Sequence, residues 1–268
     1  MNEQQDVIAS FGDAGVLAGI RWAYVSATDR VHDDYSEAAG HDITLAGMMR
    51  FTYFRDRLDR VFACGRYAVP VGSDAGISLD LLHAELTERD IATMPQLPAD
   101  LVARADLNGS PGWAWRDWRW LLASCASGKI RELPWPRKSP TKRRVALQHN
   151  PDPAQGSLFD ELADEEVAGL QALLGAAHQL DRETLVVAHS QDVEHDSREL
   201  VLGRARLNTG GGQAWYWYQD LLADSPADGG RRVGDTPSST GPGTVLDAPV
   251  RLRRPADERP ADRAGGDR

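Results

Sequence analysis

Pro134, Pro136, Pro140, Pro151 and Pro153 fall within twenty residues and divide this chain. Proline lacks an amide hydrogen and its ring clashes with the preceding helical turn, so the stretch from Gly128 to Pro153 is expected to hold no regular helix. Upstream, apolar residues recur at helical spacing. Downstream, short runs alternate as strands do. The fold class expected is therefore α+β and mainly α-helical. An N-terminal helical unit (residues 1–127) is followed by a basic, proline-rich linker (128–160). A helix with a small antiparallel sheet (161–221) comes next, and a disordered tail (222–268) ends the chain.

In the first part, Leu17, Ile20, Tyr24, Ala27 and Val31 lie at alternating spacings of three and four and predict a helix over 14–37, with Asp13 as its cap and Gly40 as its stop. Met48, Phe51, Phe54, Leu58 and Val61 predict a second over 44–63, with Arg50, Arg57 and Arg60 off the stripe. The pair should pack as a hairpin. Shorter helices are expected over 78–92 and, from Pro98, over 98–105, and a loop at 108–112. The run Trp113 to Ser124 predicts a fifth helix, because Trp115, Trp118 and Leu122 suit one helical face.

After the prolines, Val167, Leu170 and Leu174 predict a helix over 161–180. Residues 184–188, 200–206 and 213–218 are β-prone, and Asn208 to Gly212 reads as a hairpin turn between the last two. Beyond 222 the chain is rich in proline, glycine and charge, with few apolar residues.

Composition narrows the function. A net charge of −10 excludes a protein basic over its whole surface. Cys64 and Cys125 are far apart and share no metal-ligand spacing. No basic, apolar leader opens the chain, and no run approaches the roughly 18 apolar residues of a membrane span. The expectation is a cytoplasmic protein with no membrane partner.

The charge is uneven. Residues 113–150 hold nine cations against two acids, a net of +7, interleaved with Trp113, Trp115, Trp118, Trp120 and Trp135. Cations hold phosphates and flat rings stack on unpaired bases. The densest cluster, Lys138, Lys142, Arg143 and Arg144, is expected to be exposed, and together with Arg137 it is assigned to nucleic-acid contact. Its rival partner is internal: residues 160–200 carry eleven acids and two arginines, a net of −9.

Catalytic motifs are weak. His32, Asp33, His41 and Asp42 have the residue types of a helical metal-dependent phosphohydrolase, but the histidines are too closely spaced and no further ligand aspartate can be assigned. His189 and His195, with Asp192, Glu194 and Asp196, are expected to form a polar loop between strands. The Gly128-Lys129 pair lacks the rest of a phosphate loop. No catalytic residue, metal ligand or cofactor is assigned.

The sharpest motif is Gln155, Gly156, Ser157, Leu158 and Phe159. Gln155, Ser157, Leu158 and Phe159 resemble the short peptide by which bacterial polymerases and repair proteins bind the sliding clamp; Gly156 stands where that pattern usually has leucine. The resemblance implies that Leu158 and Phe159 fill an apolar pocket on the clamp and Gln155 bonds at its rim. The competing reading is local: Ser157 or Asp160 caps the next helix, and Leu158 and Phe159 staple it. The leading expectation is a non-enzymatic accessory protein of DNA metabolism, with the clamp and DNA as partners. A metal-dependent hydrolase and an interaction module of unknown partner are the alternatives.

Overall fold

A mixed sheet of six strands, in the order β1 to β6, carries the fold. The computed structural model describes residues 2–68, 80–148 and 180–223. All of these belong to one unit, Met1–Pro226. The strands are β1 (Ala103–Arg104), β2 (Gly112–Trp115), β3 (Trp118–Ser124), β4 (Glu183–Asp192), β5 (Ser197–Ala205) and β6 (Trp215–Asp220). The helices are α1 (Glu3–Asp13), α2 (Val16–Asp34), α3 (Ile43–Val61), α4 (Glu88–Thr93) and α5 (Pro140–Ala146). Every neighbouring pair of strands is antiparallel except β3 and β4, which are parallel. The fold is α+β, but it is not mainly helical, and its sheet is neither small nor purely antiparallel.

The largest correction falls on Trp113 to Ser124. The segment is a β-hairpin, Trp113 facing Trp120 and Trp115 facing Trp118, turned by Arg116 at φ 53° and Asp117. Spacings of three and seven suit one helical face, but Trp113, Trp115, Trp118, Trp120 and Leu122 also alternate as strand residues do. Where nearly every position is apolar, periodicity cannot separate the two. All five side chains reach the core under the helices, while Leu121 and Ala123 reach the opposite core. Both faces of the strand are covered, which is why its apolar run is continuous.

Residues 98–105 likewise hold no helix. They lead into β1, and the 108–112 loop closes the turn to β2, with Asn108 and Gly109 at positive φ. The helix expected over 14–37 is present as α2, Val16–Asp34, and a further helix that was not expected, α1, precedes it across Gly15 with φ 78°. Asp13 therefore ends a helix instead of capping one, and Gly40 closes a short 3-10 turn at Glu37–Ala39. Helix α3 starts under the Asp42 cap and packs on α2. The 78–92 helix is interrupted, with helical residues at 80–83 and a separate α4 started by a Thr87–Asp90 capping box. The helix expected over 161–180 and the tail from 224 onward lie outside the described residues.

Helices α1, α2 and α3 cover one sheet face. Phe11, Ile20, Tyr24, Phe54 and Leu58 pack there against Trp120, Leu122, Leu185, Val187 and Leu202. The other face is covered by the chain after β3: Ile130, Leu133, Trp135, Val145 and Ala146 meet Leu121, Ala123, Val186, Ala188 and Trp215. This segment was expected to hold no regular helix. Pro140 stands in the first turn of α5, where no amide is needed, and Ser139 caps Lys142 N. The Gln148 side chain then receives Thr184 N at 3.2 Å and donates to Arg182 O at 3.4 Å.

Gly203 in β5 sits where β6 approaches closely. A Cβ there would lie 2.5 Å from Trp217 O and 2.8 Å from Tyr218 Cβ. Gly203→Ala should therefore push β6 away and cost about 1–3 kcal/mol, read as a lower urea midpoint with an unchanged slope.

Candidate anion site at the ends of the parallel strands

The parallel register places Ser124, the last residue of β3, beside His189 of β4. His189 is fully buried and ringed by Phe54 at 5.1 Å, Tyr24 at 6.1 Å and Phe51 at 6.4 Å between ring centres. It is a strand residue packed under the helices, not part of a polar loop with His195. Arg50 of α3 donates from Nε to His189 Nδ1 at 3.2 Å and from Nη1 to Gln191 O at 3.1 Å. A guanidinium can only donate, so Nδ1 accepts and the neutral ring carries its proton on Nε2. That nitrogen lies 3.4 Å from Ser124 Oγ.

This arrangement limits the chemistry. A ring whose Nε2 already bears a proton cannot deprotonate Ser124, so the pair is not an activated nucleophile. Burial, followed by the charges of Arg50, Lys142 and Lys138, holds the His189 pKa well below its ordinary value. Cys125 is no better placed, since burial, with the Glu199 charge, pushes its thiol up to about 11. The site holds a neutral histidine and a thiol among cations.

Those cations come from both faces of the sheet. Lys138 Nζ donates to Ser124 O at 2.6 Å. Lys142 lies close enough to Lys138 to feel its charge, and burial with that repulsion brings the Lys142 pKa down to about 8. Burial also lowers Lys138 and Arg50, and Arg50 is only 5% exposed. Among the described residues, none of Arg50, Lys138 and Lys142 forms an ion pair. Glu199 is the nearby acid, and its Oε2 is engaged by Gly128 N at 2.8 Å and by Ser190 Oγ. A desolvated cation without a counter-charge is costly, and an oxyanion would offset that cost.

The assigned nucleic-acid residues are thus divided. Arg137 is exposed in a 3-10 turn, but the exposure expected of the other four is not seen. Lys138, Lys142, Arg143 and Arg144 are half-buried, because α5 packs on the sheet through Val145 and Ala146. The clamp-like residues Gln155, Ser157, Leu158 and Phe159 lie outside the described residues. His32 and Asp33 are exposed. His41 Nδ1 accepts Ser36 N at 3.1 Å, and Asp42 accepts Leu45 N at 2.8 Å as the α3 cap. Asp192, Glu194 and His195 bring their ligand atoms within 4.8 Å of one another. They sit in a turn where Asp192 Oδ1 already accepts Glu194 N and His195 N. Arg50 was missed because it was read as an off-stripe helical arginine.

The chain matches no family model, no curated protein and no solved structure. The site is therefore read from its own geometry. Among the described residues, no helix is long and apolar enough to cross a membrane.

His189 and Lys142 are bases held below their ordinary values, so the unfolded chain binds more protons and stability rises with pH. For His189 the loss should begin as pH falls through the unfolded value of 6.5. For Lys142 the gain should run from its folded value of about 8 up to 10.5. Urea midpoints against pH should show both limbs; His189→Gln should flatten the acid one and Lys142→Met the alkaline one.

Proposed function

We propose that this protein is an accessory protein of DNA metabolism. In this reading it holds nucleic-acid phosphates through Lys138, Lys142 and Arg143, with Arg137 and Arg144 beside them. It is tethered to the sliding clamp by Gln155, Ser157, Leu158 and Phe159. One observation carries the nucleic-acid part: Arg50, Lys138 and Lys142 converge on the strand ends without an ion-paired carboxylate among the described residues. Arg143 Nε adds a buried donor that has no hydrogen-bond partner among the described residues. Phosphate oxygens satisfy such donors and offset the burial and the Lys138 repulsion that lower the Lys142 pKa.

The clamp part is supported by sequence position. The 155–159 peptide falls between Gln148 and Arg182, which are bonded to each other, so the chain departs from and returns to one place just beyond α5. A partner held by that peptide would be tethered to Gln148, which stands seven residues before Gln155 in the chain.

Two measurements test the proposal. Lys142→Gln with Arg143→Gln should weaken DNA binding and reduce the slope of log affinity against log salt by roughly 0.7–0.9 for each phosphate no longer neutralised. Absence of any salt-sensitive binding would end the nucleic-acid part. Leu158→Ala with Phe159→Ala should abolish clamp pull-down at an unchanged urea midpoint; a lowered midpoint would identify these residues as a helix staple instead.

A further inference from the structure

Away from the strand ends, the outer edge of β6 borders an open groove of about 560 Å³, lined among others by Arg131, Glu132, Gln213, Tyr216, Trp217 and Tyr218. We infer that this groove takes the unpaired bases of single-stranded nucleic acid. The inference rests on the nucleic-acid reading above and names the form of nucleic acid recognised.

Four consecutive aromatic residues, Trp215 to Tyr218, occupy this edge strand. The indoles are committed to the fold. Trp215 Nε1 donates to Ile130 O at 2.8 Å, and Trp217 Nε1 donates to Glu3 Oε2 at 2.8 Å. The tyrosine hydroxyls are not committed in this way, although the Tyr218 ring packs beside Trp215, 6.3 Å between centres. Tyr216 and Tyr218 are half-buried, and neither hydroxyl has a hydrogen bond among the described residues. Arg131, Glu132 and Gln213 are exposed, and their side chains likewise make no hydrogen bond or ion pair among the described residues. The groove thus offers aromatic faces, an amide, a carboxylate and hydroxyls, with cations at hand. The Arg206 guanidinium also lies 5.8 Å from the centre of the Tyr216 ring.

That combination suits a nucleobase joined to phosphates. Aromatic faces stack on bases, the amide, carboxylate and hydroxyls bond their edges, and Arg131 and Arg206 meet the backbone. Bases in a duplex have both faces covered by neighbours and cannot stack in this way. A peptide strand added to the edge is the other occupant an open strand invites. It is disfavoured because Tyr218 O already accepts the Gln4 amide at 3.2 Å and would have to give it up.

The test uses the full chain and fluorescence anisotropy with three probes of equal length: oligo(dT), an abasic single strand and a duplex. Oligo(dT) should bind more tightly than the abasic strand. Tyr216→Ala with Tyr218→Ala should weaken oligo(dT) binding by roughly 5- to 100-fold and leave abasic binding unchanged, whereas Tyr216→Phe with Tyr218→Phe should retain most of the affinity. Equal binding of oligo(dT) and the abasic strand by the wild-type protein would overturn the groove while leaving the phosphate reading intact, and this comparison does not depend on any variant folding. Wild-type affinity of the alanine variant for oligo(dT) would also overturn it. Failure of all three probes to bind in a salt-sensitive way would remove both readings.

Discussion

The parallel pairing of β3 with β4 runs from Trp118 opposite Glu183 to Ser124 opposite His189. Parallel neighbours cannot be joined by a tight turn, so the chain must leave one end of the sheet and return to the other. The described part of that journey is what buries the second face, through Ile130, Leu133, Trp135 and Val145. With the helices on the first face, both sides of the central strands are dry. The same pairing carries two strands to a common end, where Ser124, Cys125 and His189 meet residues from α3 and α5. Cation clustering there follows from topology, because elements far apart along the chain have only that edge in common.

The buried arginines of α3 show what the fold does with charge. Arg57 and Arg60 share the Asp56 carboxylate, at 2.7 and 2.8 Å, and Arg57 also bonds Ser26 Oγ. Tyr67 and Arg66 complete the coordination of Asp56. Asp59 plays a similar part for Arg104 and the Trp113 indole, at 2.6 and 2.9 Å. Arg50 lies on the same helix and is as deeply buried, yet its bonded partners are a neutral ring and a peptide carbonyl. Ion pairing is the rule among the buried arginines of this helix, and the exception stands at the strand ends beside two lysines.

Elements with one clear period were legible in the residues. Helix α3 starts and stops within two residues of expectation, and the strands β4, β5 and β6 lie where the β-prone runs placed them. The hairpin turn at Asn208 is present, with Asn208 Nδ2 donating to Gly212 O. Failures came where local pattern underdetermines the answer. The tryptophan run fits two periods, and only the partner strand decides between them. Pro140 was read as a helix breaker, although in the first turn it is a helix starter. The candidate site was half legible: Lys138 and Lys142 stood out by charge, whereas Arg50 and His189 reach them only through tertiary packing, which no spacing along the chain encodes.

The Gln148 side chain, two residues beyond α5, ties the chain there to the backbone at the start of β4. With those two points fastened together, the start of β4 is anchored by described residues. Ring-closure entropy rises only with the logarithm of length, each doubling adding about 0.6 kcal/mol. A bridge of this kind holds the register between Ser124 and His189 at a closing cost that the length of the connection changes little.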